Sequence, residues 1–269
     1  SLLSFHMALE GNGDESLTID ESERNIYENI VNISLSKKSK DPTLPNMEIV
    51  EKGLSSGLLI TTDGFIITAY HSIQRYENDW LKIKQENPPN RKNRERWLTD
   101  IKKAYYIIDN DGNRYPIDIT LWGRIPRYDI AVIKALIPER PRPIKFRVLE
   151  GRLRKGDEVK LFGIRDEKPY NQYGRVTNEN CTSRVEDVGK IENTFETDAV
   201  GVRGFSGGVF ITMKGELAGL VVCQKKPFLS KSLGVVSGSS ISNILELIKK
   251  TGYRLGKSHF SGKYECTYR

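Results

Sequence analysis

At 269 residues and 38% hydrophobic content the chain can bury a sizeable core, and no apolar run approaches the roughly eighteen residues of a membrane span. No basic-then-apolar leader is visible, so a soluble protein is expected. Net charge is +7, which raises nucleic-acid contact as a function, but the densest stretch, Arg75 to Lys103, sets nine Lys or Arg against five Asp or Glu and reads first as a solvated face.

In chain order, residues 1–19 read as a cloning remnant and flexible N-terminus, since a His6-Met7 pair precedes any periodic segment. From Asp20 or Ser22 as cap, Ile26 and Ile30 lie one helical turn apart, and Val31 to Leu35 then alternates as a strand. Lys37 to Asn46, with Pro42 and Pro45, is a loop. Leu54 to Ile60 and Phe65 to Ala69 make two strands joined at Thr62-Asp63-Gly64, where Asp-Gly favours a tight hairpin. Gln74 to Lys103 contains Trp80, Trp97 and an Asn87-Pro88-Pro89-Asn90 break, which predicts two short helices flanking a turn. Another hairpin follows, Tyr105 to Ile108 and Tyr115 to Leu121 around Asp109 to Asn113.

Pro138, Pro141 and Pro143 mark a strap between two subdomains. Beyond it, Val159–Gly163, Tyr173–Asn178, Phe195–Thr197, Val209–Met213, Leu217–Val222 and Leu233–Ser237 are six short apolar runs separated by Gly, Asn, Asp or Lys clusters, as suits a barrel. Ile241, Ile244, Leu245 and Ile248 give the stripe of an amphipathic helix over Ile241 to Lys250. No internal repeat or metal-ligand spacing is evident, and no cofactor is called for.

Three short stretches carry chemistry. Gly204-Phe205-Ser206-Gly207-Gly208 puts one serine between glycines that let the backbone approach a substrate. A bare hydroxyl is a poor nucleophile and needs a base, itself oriented by a carboxylate. A lone histidine is ordinarily a surface or structural residue, and an aspartate before an apolar strand ordinarily a cap. Yet His71 falls in a small-residue turn just past a strand, and Asp129 opens the buried run Ile130 to Ile133. The order is His, Asp, Ser.

That order and these contexts resemble the trypsin-like serine peptidases, and among them the HtrA/DegP-like branch. The resemblance rests on Ser56-Gly57, on Thr62 to Thr68 leading to His71, on Asp129-Ile130-Ala131, and on Thr197-Asp198-Ala199 leading to Gly204 through Gly208. It covers residues 20–250. It implies an all-β fold of two Greek-key, chymotrypsin-like β-barrels with short N- and C-terminal helices and the helical insertion 74–103 after the histidine. The first barrel takes 20–137, the strap 138–147, the second barrel and C-terminal helix 148–251, and a tail 252–269; no PDZ domain fits.

The resemblance also implies roles. His71, Asp129 and Ser206 form a catalytic triad for hydrolysis of peptide bonds through an acyl-enzyme, and the backbone N–H groups of Gly204 and Ser206 form the oxyanion hole. Val200 falls at the base of the first specificity pocket, with Val222, Cys223 and Gly234 as walls. An uncharged base predicts small or medium apolar residues before the cut, unless Asp198 reaches the pocket. The partners implied are a protein or peptide substrate and a regulatory protein or domain, with no membrane. The rival reading is a peptidase-fold scaffold that holds a protein or nucleic-acid partner through residues 74–103. The three cysteines, Cys181, Cys223 and Cys266, are odd in number and none flanks His71 or Ser206, which predicts a reducing, cytoplasmic setting.

Overall fold

The computed structural model describes residues 4–10, 19–40, 48–74, 105–138, 145–185, 188–202, 204–225, 235–250, 253–257 and 263–268. The helices predicted within 74–103 and the pocket residue Gly234 lie outside the described residues.

Helix α1 (Ile19–Asn29) leads into the first barrel, built from β2 (Ile30–Lys40), β3 (Glu48–Leu59), β4 (Phe65–Ala69), β5 (Tyr105–Ile108), β6 (Arg114–Ile125) and β7 (Ile130–Ala135). These strands close in the order β2-β3-β4-β7-β6-β5, all neighbours antiparallel. The β3–β4 turn forms where Asp-Gly predicted it. Thr61 holds it twice, its hydroxyl accepting from Phe65 N at 2.9 Å and its carbonyl from Gly64 N at 3.2 Å. In the β5–β6 turn the Asp109 carboxylate accepts from the N–H groups of Asp111 and Asn113, the local bonding that makes aspartate a turn former.

The second barrel uses β9 (Glu158–Arg165), β10 (Lys168–Val185), β11 (Gly189–Val200), β12 (Val209–Thr212), β13 (Glu216–Lys225) and β14 (Val235–Ser240), and closes in the order β12-β9-β10-β11-β14-β13 through the β12–β13 pair. Each of the six apolar runs contributes to one of these strands within the described residues; Leu233 and Gly234 of the last run lie outside them. Helix α2 (Ile241–Lys250) follows with Ile241, Ile244 and Leu247 buried.

The second sheet reaches further than the sequence patterns imply. Part of the proline-rich strap is a strand, β8 (Lys145–Val148), parallel to β13 at its end. Within the stretch read as lying outside the fold, β1 (Ser4–Glu10) pairs in parallel with β8 and antiparallel with β16 (Lys263–Tyr268). The tail, read as having no clear period, supplies β16 and its partner β15 (Tyr253–Lys257).

The two barrels share a buried face. One cluster runs without a break from Ile33, Leu58 and Ile67 of the first barrel to Phe162, Val209 and Leu220 of the second. Helix α1 spans the same junction. The buried Ser22 hydroxyl, inside the helix, donates to Gly215 O at 2.5 Å, and Glu23 pairs with Lys160 at 2.5 Å. Burial works against the Lys160 ammonium, but its bonds and charge interactions with Glu23 and Tyr173 together outweigh this and raise its pKa.

Candidate active site

His71 and Asp129 come together in the first barrel. β4 ends at Ala69 and the chain turns into a helical turn at His71, while β7 begins one residue after Asp129. β4 and β7 are paired, with Ala69 opposite Ile130, so the two side chains leave the same end of the same ladder. Tyr70 N–H donates to Asp129 O at 3.0 Å and fixes that end.

The Asp129 carboxylate is fully buried and takes two bonds from His71. Oδ1 accepts from the His71 backbone N–H at 2.8 Å, and Oδ2 lies 2.6 Å from the ring Nδ1. When ionised, this carboxylate can only accept, which puts the ring proton on Nδ1 and leaves Nε2 free to accept one. Burial pushes the Asp129 carboxyl above its ordinary pKa, against the opposite pull of the His71 hydrogen bonds and charge. The backbone at Asp129 is left-handed, φ 53°, capping the short 3-10 helix Pro126–Tyr128 with its N–H on Pro126 O. Aspartate is among the few side chains that tolerate this conformation.

Ser206 sits at the edge of the second barrel, on a loop held almost wholly by main chain. Phe205 N–H donates to Val202 O, Gly208 N–H to Phe205 O, and Gly207 N–H to Val221 O at 2.7 Å. Gly204 has φ +100° and Gly207 φ +82°, where only glycine is unstrained. A Cβ on Gly207 would run into Ser56 O and Thr68 Oγ1 and stand 3.0 Å from Ala69 N. The serine loop therefore lies directly against the strand that leads to His71.

Ser56 fastens this contact. Its N–H donates to Ser206 O at 2.7 Å, its hydroxyl donates to Gly204 O at 2.6 Å, and the same oxygen accepts from Ile164 N–H at 2.7 Å. One buried residue of the first barrel thus ties both the serine loop and strand β9. Sequence reasoning used Ser56 only as part of a motif. Among the described residues, the N–H groups of Gly204 and Ser206 donate to no protein acceptor.

Around the predicted pocket the picture is mixed. Val200 ends β11, pairs with Val235, and its carbonyl accepts from the Gln172 side chain. The exposed Asp198 turns toward β10, its carboxylate accepting from Arg175 N–H at 2.6 Å. Val222 is fully buried in the core and offers a pocket no exposed surface, and Cys223 pairs with Ser237 in the sheet. Among the described residues no three His, Cys, Asp or Glu side chains converge as metal ligands, and no helix is long and apolar enough to cross a membrane.

Comparison with known proteins agrees with this architecture. Residues 55–220, more than half of the chain, match the trypsin-like peptidase domain, and the chain belongs to that family. Among curated proteins it is similar to probable periplasmic serine endoproteases described as DegP-like. That of Brucella suis is 25% identical over 206 residues, covering 75% of this chain and 34% of the relative. The Rhizobium meliloti protein is 27% identical over 167 residues, covering 61% and 27%. The chain thus spans about a third of the length of the first of these. In fold it is similar to the protease domain of MamO from Magnetospirillum magneticum, at TM-score 0.55 and 17% identity, covering 83% of this chain and 97% of that one.

The cytoplasmic location expected from the cysteines is overturned by these relatives, which are named as periplasmic. Cysteine count bounds which disulfides can form. It does not identify a compartment, because a chain with cores as large as these needs no disulfide to fold.

Proposed function

We propose that the protein is a serine endopeptidase in which Ser206 is the nucleophile, His71 the general base and acid, and Asp129 the residue that orients His71. The observation that carries this reading is the doubly bonded, buried Asp129–His71 pair on the strand end against which the Ser206 loop is packed. His71 Nε2 takes the Ser206 proton as Oγ attacks a peptide carbonyl, then returns it to the leaving amine, and water repeats the cycle on the acyl-enzyme. Asp129 holds the productive tautomer and stabilises the imidazolium. The Gly204 and Ser206 N–H groups receive the oxyanion; one such donor typically accounts for about 3–4 kcal/mol of barrier. The substrate is a protein or peptide, and the relatives' naming supports a periplasmic setting. The scaffold reading is not favoured, because nothing in a binding role requires this His–Asp geometry.

For specificity, the uncharged Val200 and the outward-turned Asp198 support small or medium apolar residues before the cut. A peptide library should show Val, Ala or Leu preferred over Lys or Arg by about tenfold or more. A profile dominated by basic residues would remove this part of the proposal. Hydrolysis of an unfolded protein substrate by the purified chain, lost in Ser206→Ala, tests the activity itself. Equal hydrolysis by the variant would refute the assignment.

A further inference from the structure

We propose that Tyr170 is a positioning residue for the same site: its ring closes the notch that seats Phe205, and Phe205 aims the oxyanion donors. The inference rests on the serine-peptidase reading above.

Phe205 lies between the two donor residues, and the Ser206 N–H belongs to the Phe205–Ser206 peptide, so whatever fixes Phe205 aims that N–H. Its side chain is 2% exposed and packs in a cluster with Leu161, Val176, Phe210 and Val221. The seat exists because residue 163 is glycine: a Cβ there would stand 2.9 Å from Phe205 Cδ1 and 3.1 Å from its Cγ. Tyr170 is the direct cross-strand partner of Gly163, and its ring centroid lies 5.8 Å from that of Phe205 at 46°. An aromatic ring opposite a strand glycine covers the gap the missing side chain leaves. Tyr170 is 37% exposed, with the Arg165 guanidinium 5.0 Å from its ring centroid. The outer wall of the Phe205 seat beside Gly163 therefore includes a half-exposed ring on the β9–β10 hairpin. Main-chain bonds and Ser56 hold the other side of the loop.

Removing the ring opens the seat to water and frees Phe205 to shift. A displacement of about 1 Å in catalytic groups can cost about a hundredfold in rate. Substrate binding outside the oxyanion contact is untouched, so the loss falls on kcat.

The experiment compares wild type, Tyr170→Ala and Tyr170→Phe by steady-state peptide hydrolysis, by inhibition with a peptide aldehyde whose hemiacetal oxygen occupies the oxyanion position, and by thermal melting. The expected result is a kcat lower by about ten- to a hundredfold in Tyr170→Ala with KM changed less than about twofold. Aldehyde affinity should fall in parallel, and Tyr170→Phe should behave as wild type. If Tyr170→Ala does not fold, Tyr170→Val, which keeps a strand-favouring residue without the ring, carries the same expectation. An active wild type with unchanged kcat in the ring-less variant, or a loss confined to KM, would overturn the inference alone. A wild type that neither hydrolyses peptides nor reacts at Ser206 would overturn the peptidase reading beneath it.

Discussion

The histidine side of the site and the serine side are held by different means. In the first barrel, the buried Asp129 carboxylate is bonded twice to His71 at a strand pair, once by the backbone N–H and once at the ring Nδ1. In the second, Ser206 is carried on glycine main chain, and its position comes from backbone bonds and from Ser56, a residue of the other barrel. On the proposed mechanism, the fixed tautomer comes from a carboxylate–imidazole pair, whereas the aimed N–H groups come from backbone. Damage to the first should act on proton transfer with little effect on folding; damage to the second should couple activity to the barrel junction.

The largest effects should come from removing a reacting group. Ser206→Ala and His71→Ala should each lower kcat by about 10⁵–10⁶, because such residues act as a unit. Circular dichroism should stay unchanged, and measurable turnover near wild type in either would break the comparison at its root. Asp129→Asn should lower kcat by about 10⁴, since an amide donating to Nδ1 selects the wrong tautomer. KM should change little.

On the serine side, Ser56→Ala orphans Ile164 N–H and Gly204 O at once, and each buried unpaired group costs about 1–3 kcal/mol. Chemical denaturation should show that loss together with a fall in kcat of about tenfold. Loss of stability with full activity would mean that the serine loop does not depend on its cross-barrel tie.

The smallest effect separates the two sides by pH. The pKa of Asp129 is raised on folding, so the group favours the fold most below its unfolded value of about 3.9, and that contribution is lost as pH rises through the folded value. Relative to wild type, Asp129→Asn should therefore gain in melting temperature as pH is raised from about 4 to 7. Ser56→Ala should show no such trend. As pH falls through the raised value, wild-type kcat should decline while the Asp129→Asn residual activity does not follow the same titration.

Much of this was legible in the sequence, where the signal is local. Val209 to Thr212 and Ile241 to Lys250 carry their own periodicity, and the Asp63-Gly64 turn its own chemistry. His71, Asp129 and Ser206 were each preceded or followed by a strand whose pattern could be read, which set their context. Other features depend on distant partners and leave no local trace. β10 runs through the polar stretch Asn178 to Thr182 because β11 pairs with it there. β1 and β16 exist through one another across nearly the whole chain. The Ser56 hydroxyl bonds to groups 108 and 148 residues away, and the direction of Asp198 is set by the Arg175 N–H that donates to its carboxylate from another strand. The resemblance gives Val222 as a pocket wall but carries nothing on which face of β13 is buried; the structure puts that side chain in the core.

We propose that Ser206 is made nucleophilic by the Asp129–His71 pair. The most direct test is mass spectrometry of the protein after reaction with a fluorophosphonate, with the adduct mapped by peptide. A single adduct on Ser206 in wild type, reduced by orders of magnitude in His71→Ala, is the predicted result. An adduct on another residue, or labelling of Ser206 that is equally fast without His71, would contradict it.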